Sequence, residues 1–173
     1  AEPGDLITLS GGNPALFFDA VLGQVLSSFN WLLAMETQGS KNIPLSALHH
    51  LTYLTISPKP PSSGMDKRLD VATVQKLLVS ARLAGVDTCV KFVVFELADL
   101  EWAHTISLQL QGPTRFYLSV GTLLHAPTRE AGLSQIADSL AILFETVAKN
   151  RAYAKFTVMP QLHTVAWGQK RGV

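Results

Sequence analysis

Four short segments combine residue types that can hold a small charged ligand. They read LSGGNP over 9–14, METQGS over 35–40, SPKPPSSG over 57–64 and YLSVGT over 117–122. Adjacent glycines permit positive φ and let a ligand approach the backbone. The Glu36 carboxylate can accept hydrogen bonds from an amine or from ribose hydroxyls, and Lys59 can neutralise a ligand carboxylate as a point charge. The spacing therefore indicates candidate binding loops.

Each segment also has an ordinary structural explanation. A glycine pair before Asn13 and Pro14 is typical of a tight turn that leads into a capped helix. Glu36 could be a solvated turn residue, and most Ser-Pro-Lys triplets lie in surface loops. The residue types alone leave both interpretations open.

The chain repeats the order strand, helix, strand, helix. Elements in this order are what must position the four loops. The predicted strands are short apolar runs, which is typical of buried parallel strands. Ligands bind at the carboxyl ends of such strands, and each of the four segments follows a strand. The sequence therefore predicts an α/β fold, either a partial parallel (β/α) barrel or an open parallel sheet with helices outside. The predicted strands cover 6–9, 31–35, 53–56, 88–95, 116–120 and 156–159.

Four helices are predicted between the strands. Asn13 and Pro14 suggest the N-cap and the first residue of a helix. The apolar residues of this predicted helix extend to about position 26. A second helix opens after Asp70 and closes at Gly85. A third runs over about 99–110, and a fourth, capped by Thr128, continues to about 150.

Composition narrows the class of protein. The 173 residues suffice for one domain over 1–173, with 47% hydrophobic and 16% charged residues. The net charge of +1 is too small to attract the chain to nucleic acid or to an anionic membrane. No membrane span or signal peptide is predicted, so we expect a cytoplasmic protein. The single cysteine, Cys89, excludes a self-contained iron–sulfur site. Cys89 lies in a strongly apolar run, so we expect it to be a small core residue.

Taken together, six blocks resemble one family in order and spacing. The chain resembles the 7-carboxy-7-deazaguanine synthases, a family of radical S-adenosylmethionine enzymes, over nearly its whole length. The segments SPKPPSSGM and PQLHTVAWGQKRGV are more specific than the glycine pair. The blocks are LITLSGGNPA, METQGS, TISPKPPSSGM, VKFVVFELADL, YLSVGT and PQLHTVAWGQKRGV.

The resemblance implies a reaction and its cofactors. It implies ring contraction of 6-carboxy-5,6,7,8-tetrahydropterin to 7-carboxy-7-deazaguanine with loss of ammonia, a step toward queuosine and other 7-deazapurines. The implied cofactors are S-adenosylmethionine, a [4Fe-4S] cluster and Mg²⁺, and the implied partners are the pterin substrate, an electron donor such as flavodoxin and a second copy in a homodimer. It also places the chain terminus near the substrate carboxylate.

The same resemblance implies roles for individual residues. Ser10 would contact substrate and Gly12 the methionine part of S-adenosylmethionine. Glu36 would lie in the cofactor pocket, and the positions 57–59 and 119 would contact the cofactor. The residues at those four positions are Ser57, Pro58, Lys59 and Ser119.

The chain departs from the family in one respect. The family's CxxxCxxC motif, its magnesium-contacting residue and its first substrate-binding segment precede the glycine motif, and this sequence has no counterpart of them. We therefore expect a C-terminal portion of the enzyme that is inactive alone and that exposes apolar edges. Two alternatives stay open: a cluster-free module that binds S-adenosylmethionine or a pterin, and a partner-binding subunit in which the glycine loop is structural.

Overall fold

The chain forms one parallel sheet flanked by helices. The computed structural model describes residues 1–65, 69–121 and 128–167. Within these residues, six parallel strands neighbour one another in chain order. The predicted α/β fold is therefore confirmed, and two strands lie at the edges of the described sheet. The strands are β1 (Leu6–Leu9), β2 (Leu32–Thr37), β3 (Tyr53–Ile56), β4 (Asp87–Val94), β5 (Arg115–Val120) and β6 (Phe156–Val158).

Helices connect successive strands. Within the described residues, short 3₁₀ turns cover Pro14–Leu16, Pro61–Ser63 and Arg151–Tyr153. Helices that lie between parallel strands provide the crossover each pair needs. The α-helices are α1 (Ala20–Ser27), α2 (Leu45–Leu48), α3 (Val71–Leu83), α4 (Leu97–Gln109), α5 (Arg129–Lys149) and α6 (Leu162–Trp167).

The two faces of the sheet differ in burial. Successive residues of a strand point to opposite faces, and in β2 to β4 alternate residues are buried while those between them are half-buried or exposed. The buried residues form the core together with apolar residues of α3, α4 and α5. The helices therefore cover one face, and the other, here called the open face, carries Glu36, Thr55, Cys89 and Lys91.

Three of the predicted helix signals are confirmed. The Asp70 carboxylate accepts hydrogen bonds from Ala72 N and Thr73 N at the start of α3, and Gly85 beyond its end has φ +75°. Thr128 Oγ1 accepts from Ala131 N at the start of α5. These signals depend on neighbouring residues alone, which is why the sequence reveals them.

The predicted start of the first helix is wrong. Asn13 makes no side-chain capping bond, and the segment that begins at Pro14 is a short 3₁₀ turn. The α-helix begins later, after Asp19, whose carboxylate accepts from Leu22 N. The side chain of Asn13 instead turns into the protein, as described below. A further correction concerns Glu36, which lies within β2 and not beyond its end.

Parallel strands end at the same edge of a sheet, so the segments that follow them are neighbours. The carboxyl ends of β1 to β6 form this edge, here called the site edge. No helix of the described residues is long and apolar enough to cross a membrane.

Candidate functional site

The predicted site residues all lie at the site edge. Ser10 and Gly12 follow β1, Glu36 is the penultimate residue of β2, and Ser119 is the penultimate residue of β5. Ser57, Pro58 and Lys59 follow β3 directly. Because the four strands are parallel, residues far apart in sequence share one rim of the sheet. The residues 122–127 and 168–173, with the predicted chain terminus, lie outside the described residues.

The glycine loop leaves its backbone open. Gly11 has φ +84° and Gly12 has φ +55°, a region that residues with a Cβ rarely adopt. A Cβ added at either position would meet nothing within 4 Å. The glycines therefore serve the backbone conformation and leave room above it for a ligand.

Asn13 connects the β1 loop to the β2 loop. It is buried at 9% exposure. Thr37 Oγ1 donates to Asn13 Oδ1 at 2.7 Å, and Asn13 Nδ2 donates to Ser40 Oγ at 3.0 Å. Thr37 Oγ1 also accepts from Gly39 N at 3.3 Å. The amide thereby holds two loops of the site edge in register.

Three charged side chains gather on the open face. Lys91 Nζ donates to Glu36 Oε2 at 2.9 Å, across the intervening strand β3. Lys59 lies near both groups. Burial lowers the pKa of Lys59, the Glu36 carboxylate raises it, and Lys91 lowers it. Two lysines against one carboxylate leave one uncompensated positive charge among these three residues, which favours an anionic group of a ligand.

Ser57 supplies a polar atom that no other described residue hydrogen-bonds. The residue is 1% exposed, and its Oγ is buried without a hydrogen-bond partner among the described residues. Its backbone N donates to Thr37 O at 2.7 Å, so the residue is fixed at the end of β3. A buried hydroxyl without a partner is unfavourable in the free protein and is satisfied if a ligand supplies the partner.

Ser119 borders a cavity at the other side of the site edge. The cavity measures about 180 Å³, and Lys91 and Gln161 also line it. Gln161 Nε2 donates to Val120 O at 2.9 Å and to Ser119 Oγ at 3.4 Å. The segment after β6 is thereby fastened to the end of β5.

Sequence reasoning missed three of these residues. Lys91 sits alone in an apolar strand, and its position on the open face could be found by counting alternate residues from Val90 and Phe92. Asn13 has the appearance of a helix cap, and its partners are 24 and 27 residues away. Gln161 shows no local signal that distinguishes it from other tail residues.

The donor set fits some ligands and not others. Lysine cations, a carboxylate and an open glycine backbone suit a small molecule that carries a carboxylate, an amine and hydroxyls. They do not suit an iron–sulfur cluster, which several thiolates must hold. Among the described residues, no group of three or more His, Cys, Asp or Glu side chains is placed to hold a metal ion.

Cys89, expected in the core, lies half-buried on the open face instead. Its Sγ is 3.6 Å from Thr55 Oγ1, with which it shares a hydrogen bond. Burial has the largest influence on the pKa of the thiol, and it raises that pKa. A raised pKa keeps the thiol protonated, which opposes a role as nucleophile or ligand.

Curated proteins of similar sequence share one name. A 7-carboxy-7-deazaguanine synthase from Bacillus subtilis (strain 168) is 38% identical over 175 residues, which cover 96% of this chain and 68% of that protein. A protein of the same name from Bacillus cereus is 38% identical over 173 residues, with the same two coverages. No family model matches the chain.

Two solved structures match the chain at low sequence identity. Both are of anSMEcpe with bound AdoMet, one from a histidine-tagged protein and one from the native protein. The tagged form gives a TM-score of 0.49 at 14% identity, over 99% of this chain and 52% of that one. The native form gives a TM-score of 0.46 at 16% identity, over 99% and 55%.

Proposed function

Because the chain belongs to the 7-carboxy-7-deazaguanine synthase family, we propose that it forms the S-adenosylmethionine-binding part of such an enzyme. The proposed reaction converts 6-carboxy-5,6,7,8-tetrahydropterin to 7-carboxy-7-deazaguanine with loss of ammonia, within 7-deazapurine biosynthesis. The proposed enzyme is a carbon–nitrogen lyase of the radical type, and residues 1–173 are a single domain, the C-terminal part of its core.

One observation carries the proposal. The buried Ser57 Oγ has no partner among the described residues, and Lys59, two residues further along the same loop, carries a charge that burial disfavours. A protein gains no stability from either feature. Both are satisfied when an amino-acid moiety binds, because a carboxylate pairs with the ammonium and accepts a hydrogen bond from the hydroxyl.

The remaining residues account for the other parts of the cofactor. When bound, S-adenosylmethionine supplies the radical that starts the family's reaction. Glu36 is an acceptor for an amine or a ribose diol, and Lys91 holds that carboxylate in place. Gly12 lets the cofactor reach the backbone of the β1 loop. Ser10, exposed at the end of β1, remains the proposed substrate contact.

The residues present do not fit an iron–sulfur cluster. One cysteine cannot hold a [4Fe-4S] cluster, and the described residues contain no group of three or more His, Cys, Asp or Glu side chains that could hold a metal ion. The proposed reaction therefore requires thiolates from outside these 173 residues, and we derive no step through the cluster. An electron donor such as flavodoxin and a homodimer are part of the same proposal.

A second candidate function follows from the cysteine content. With Cys89 as its one cysteine, the chain could act as a module that binds S-adenosylmethionine or a pterin without radical chemistry. This candidate shares the binding site and differs in the reaction, so one binding experiment and one activity experiment separate the two.

Titration calorimetry with S-adenosylmethionine tests the binding site. We expect Lys59→Ala to weaken binding about tenfold or more, since a charge-assisted hydrogen bond contributes roughly 1.5–3 kcal/mol. Lys149→Ala is the matched control, because Lys149 is an exposed lysine on α5 that pairs with Glu145. Equal affinity of the two variants would contradict the assigned site.

Activity tests the reaction. The protein that carries a CxxxCxxC segment together with these residues is incubated with the pterin, a reductant and S-adenosylmethionine, and 7-carboxy-7-deazaguanine is measured by mass spectrometry. We expect product formation that Lys59→Ala lowers and Lys149→Ala leaves unchanged. Binding of the cofactor or the pterin by residues 1–173 alone, with no product from the longer protein, would favour the module.

A further inference from the structure

Asp99 is a buried carboxylate to which sequence analysis gave no role. It is 1% exposed and lies in the first turn of α4. No lysine, arginine or histidine of the described residues forms an ion pair with it. A buried carboxylate without a cation is stable when several hydrogen bonds satisfy it, so its donors show what it holds.

Four donors point at Asp99 from two different loops. Phe95 N donates to Oδ2 at 2.9 Å and Glu96 N at 3.3 Å, both from the segment after β4. Ser62 Oγ donates to Oδ2 at 2.7 Å, and Ser62 N to Oδ1 at 3.4 Å, from the loop after β3. A helix capping box accounts for the bond from Glu96 N. It does not account for the two bonds from Ser62, which lies 37 residues away.

The loop that Ser62 closes is the one that carries Ser57 and Lys59. Its start is fixed where Ser57 N donates to Thr37 O. Between its two ends stand Pro58, Pro60 and Pro61, each of which fixes φ. A stiff segment held at both ends has little freedom, so the position of Lys59 depends on the attachment at Ser62.

We infer that Asp99 is a positioning residue that, through Ser62, fixes the 57–64 loop for binding S-adenosylmethionine. The inference rests on the proposed function for its ligand. Its structural part, the attachment of the loop to α4, stands on the two hydrogen bonds from Ser62. Asp99 acts through other residues and does not itself face the open side of the sheet.

Ser62→Ala is the variant that tests this inference. It removes the hydroxyl donor and leaves the helix capping box intact. We expect the dissociation constant for S-adenosylmethionine to rise about three- to tenfold, and the amides of residues 62–64 to exchange hydrogen faster. Ser62→Thr keeps a hydroxyl and should restore both properties. Thr105→Ala removes an exposed α4 hydroxyl whose bond stays within the helix, and it should change neither.

Asp99→Asn provides a second measurement. All four contacts of the carboxylate come from donors, and an amide replaces one acceptor oxygen by a further donor, so we expect a larger loss of affinity than in Ser62→Ala. If this variant does not fold, Ser62→Ala still decides the question.

The outcomes separate the inference from the proposed function. If the unmodified protein does not bind S-adenosylmethionine, the proposed function fails and the ligand assigned to the loop fails with it. If that protein binds and Ser62→Ala shows the same affinity and exchange, the inference alone is overturned. A lower melting temperature with unchanged affinity would show a merely structural contact and would also overturn it.

Discussion

Gly39 lies in the β2 loop of the site edge, and alanine there should destabilise the protein strongly. The residue has φ +73°. A Cβ at this position would approach Ile56 Cγ2 at 2.7 Å and Val74 Cγ2 at 3.0 Å. Both neighbours are fully buried and β-branched, so neither methyl group can move aside easily.

The size of the effect follows from two contributions. Left-handed backbone costs a residue with a Cβ roughly 1–2 kcal/mol, and overpacking a close-packed core costs about 1–3 kcal/mol. We therefore expect Gly39→Ala to lower the free energy of unfolding by about 2–5 kcal/mol. For a domain of this size that corresponds to a melting temperature lower by roughly 4–20 °C.

Gly85→Ala separates the two contributions. Gly85 has φ +75°, nearly the same as Gly39, and a Cβ there would meet nothing within 4 Å. Its substitution should show the backbone contribution alone, about 1–2 kcal/mol. Urea unfolding of both variants gives the two free energies, and their difference measures the crowding.

A double variant tests the assigned cause. Val74→Ala removes one of the two methyl groups in the way, so Gly39→Ala should cost about 1 kcal/mol less in that background. If Gly39→Ala is no more destabilising than Gly85→Ala, or if the Val74→Ala background leaves its cost unchanged, the crowding argument is refuted.

Three further substitutions give distinct results. Asn13→Ala leaves the buried Thr37 hydroxyl without its acceptor and should lower the free energy of unfolding by about 1–3 kcal/mol in urea; a change below ~0.5 kcal/mol would contradict the bridging role. Ser57→Ala removes an unpartnered buried hydroxyl, so calorimetry should find stability equal or higher and cofactor affinity lower; a clear loss of stability would reveal a partner in the free protein. Lys59 has a lowered pKa in the folded state, so the unfolded chain binds more protons and stability should rise as pH climbs toward 10.5. Lys59→Met should remove that rise in stability. The same dependence of stability on alkaline pH in the variant and the unmodified protein would contradict this prediction.

The strands were predictable because burial imposes a simple pattern on them. Runs such as 53–56 and 116–120 are mainly apolar, and the structure places strands there. The caps at Asp70 and Thr128 were predictable because their partners are two or three residues away.

The errors occur where a side chain has a distant partner. Asn13 and Pro14 satisfy every local criterion for a helix start. The side-chain amide of Asn13 nevertheless forms hydrogen bonds with Thr37 and Ser40 instead of capping a helix. Cys89 stands in an apolar run, yet it occupies the open face, which none of the described helices covers. Which face of the sheet is covered is a property of the whole chain, and no window of neighbouring residues contains it.

The candidate site was predictable in its loops and not in its attachments. Glycine, glutamate and lysine at strand ends have chemistry that their types reveal. The contacts of Lys91 with Glu36 and of Ser62 with Asp99 span 55 and 37 residues, and only the assembled sheet brings these residues together.

The agreement between strand order and chain order has a consequence for synthesis on the ribosome. Each strand adds to the edge that its predecessor left, so no strand must insert between two that are already paired. The hydrogen bonds of Asn13 can form once β1, β2 and the loops that follow them have been synthesised. The ion pair between Glu36 and Lys91 can form only after β4 has been synthesised. The glycine loop can thus be set before β3 and β4 are synthesised, and the charges of the site are balanced later.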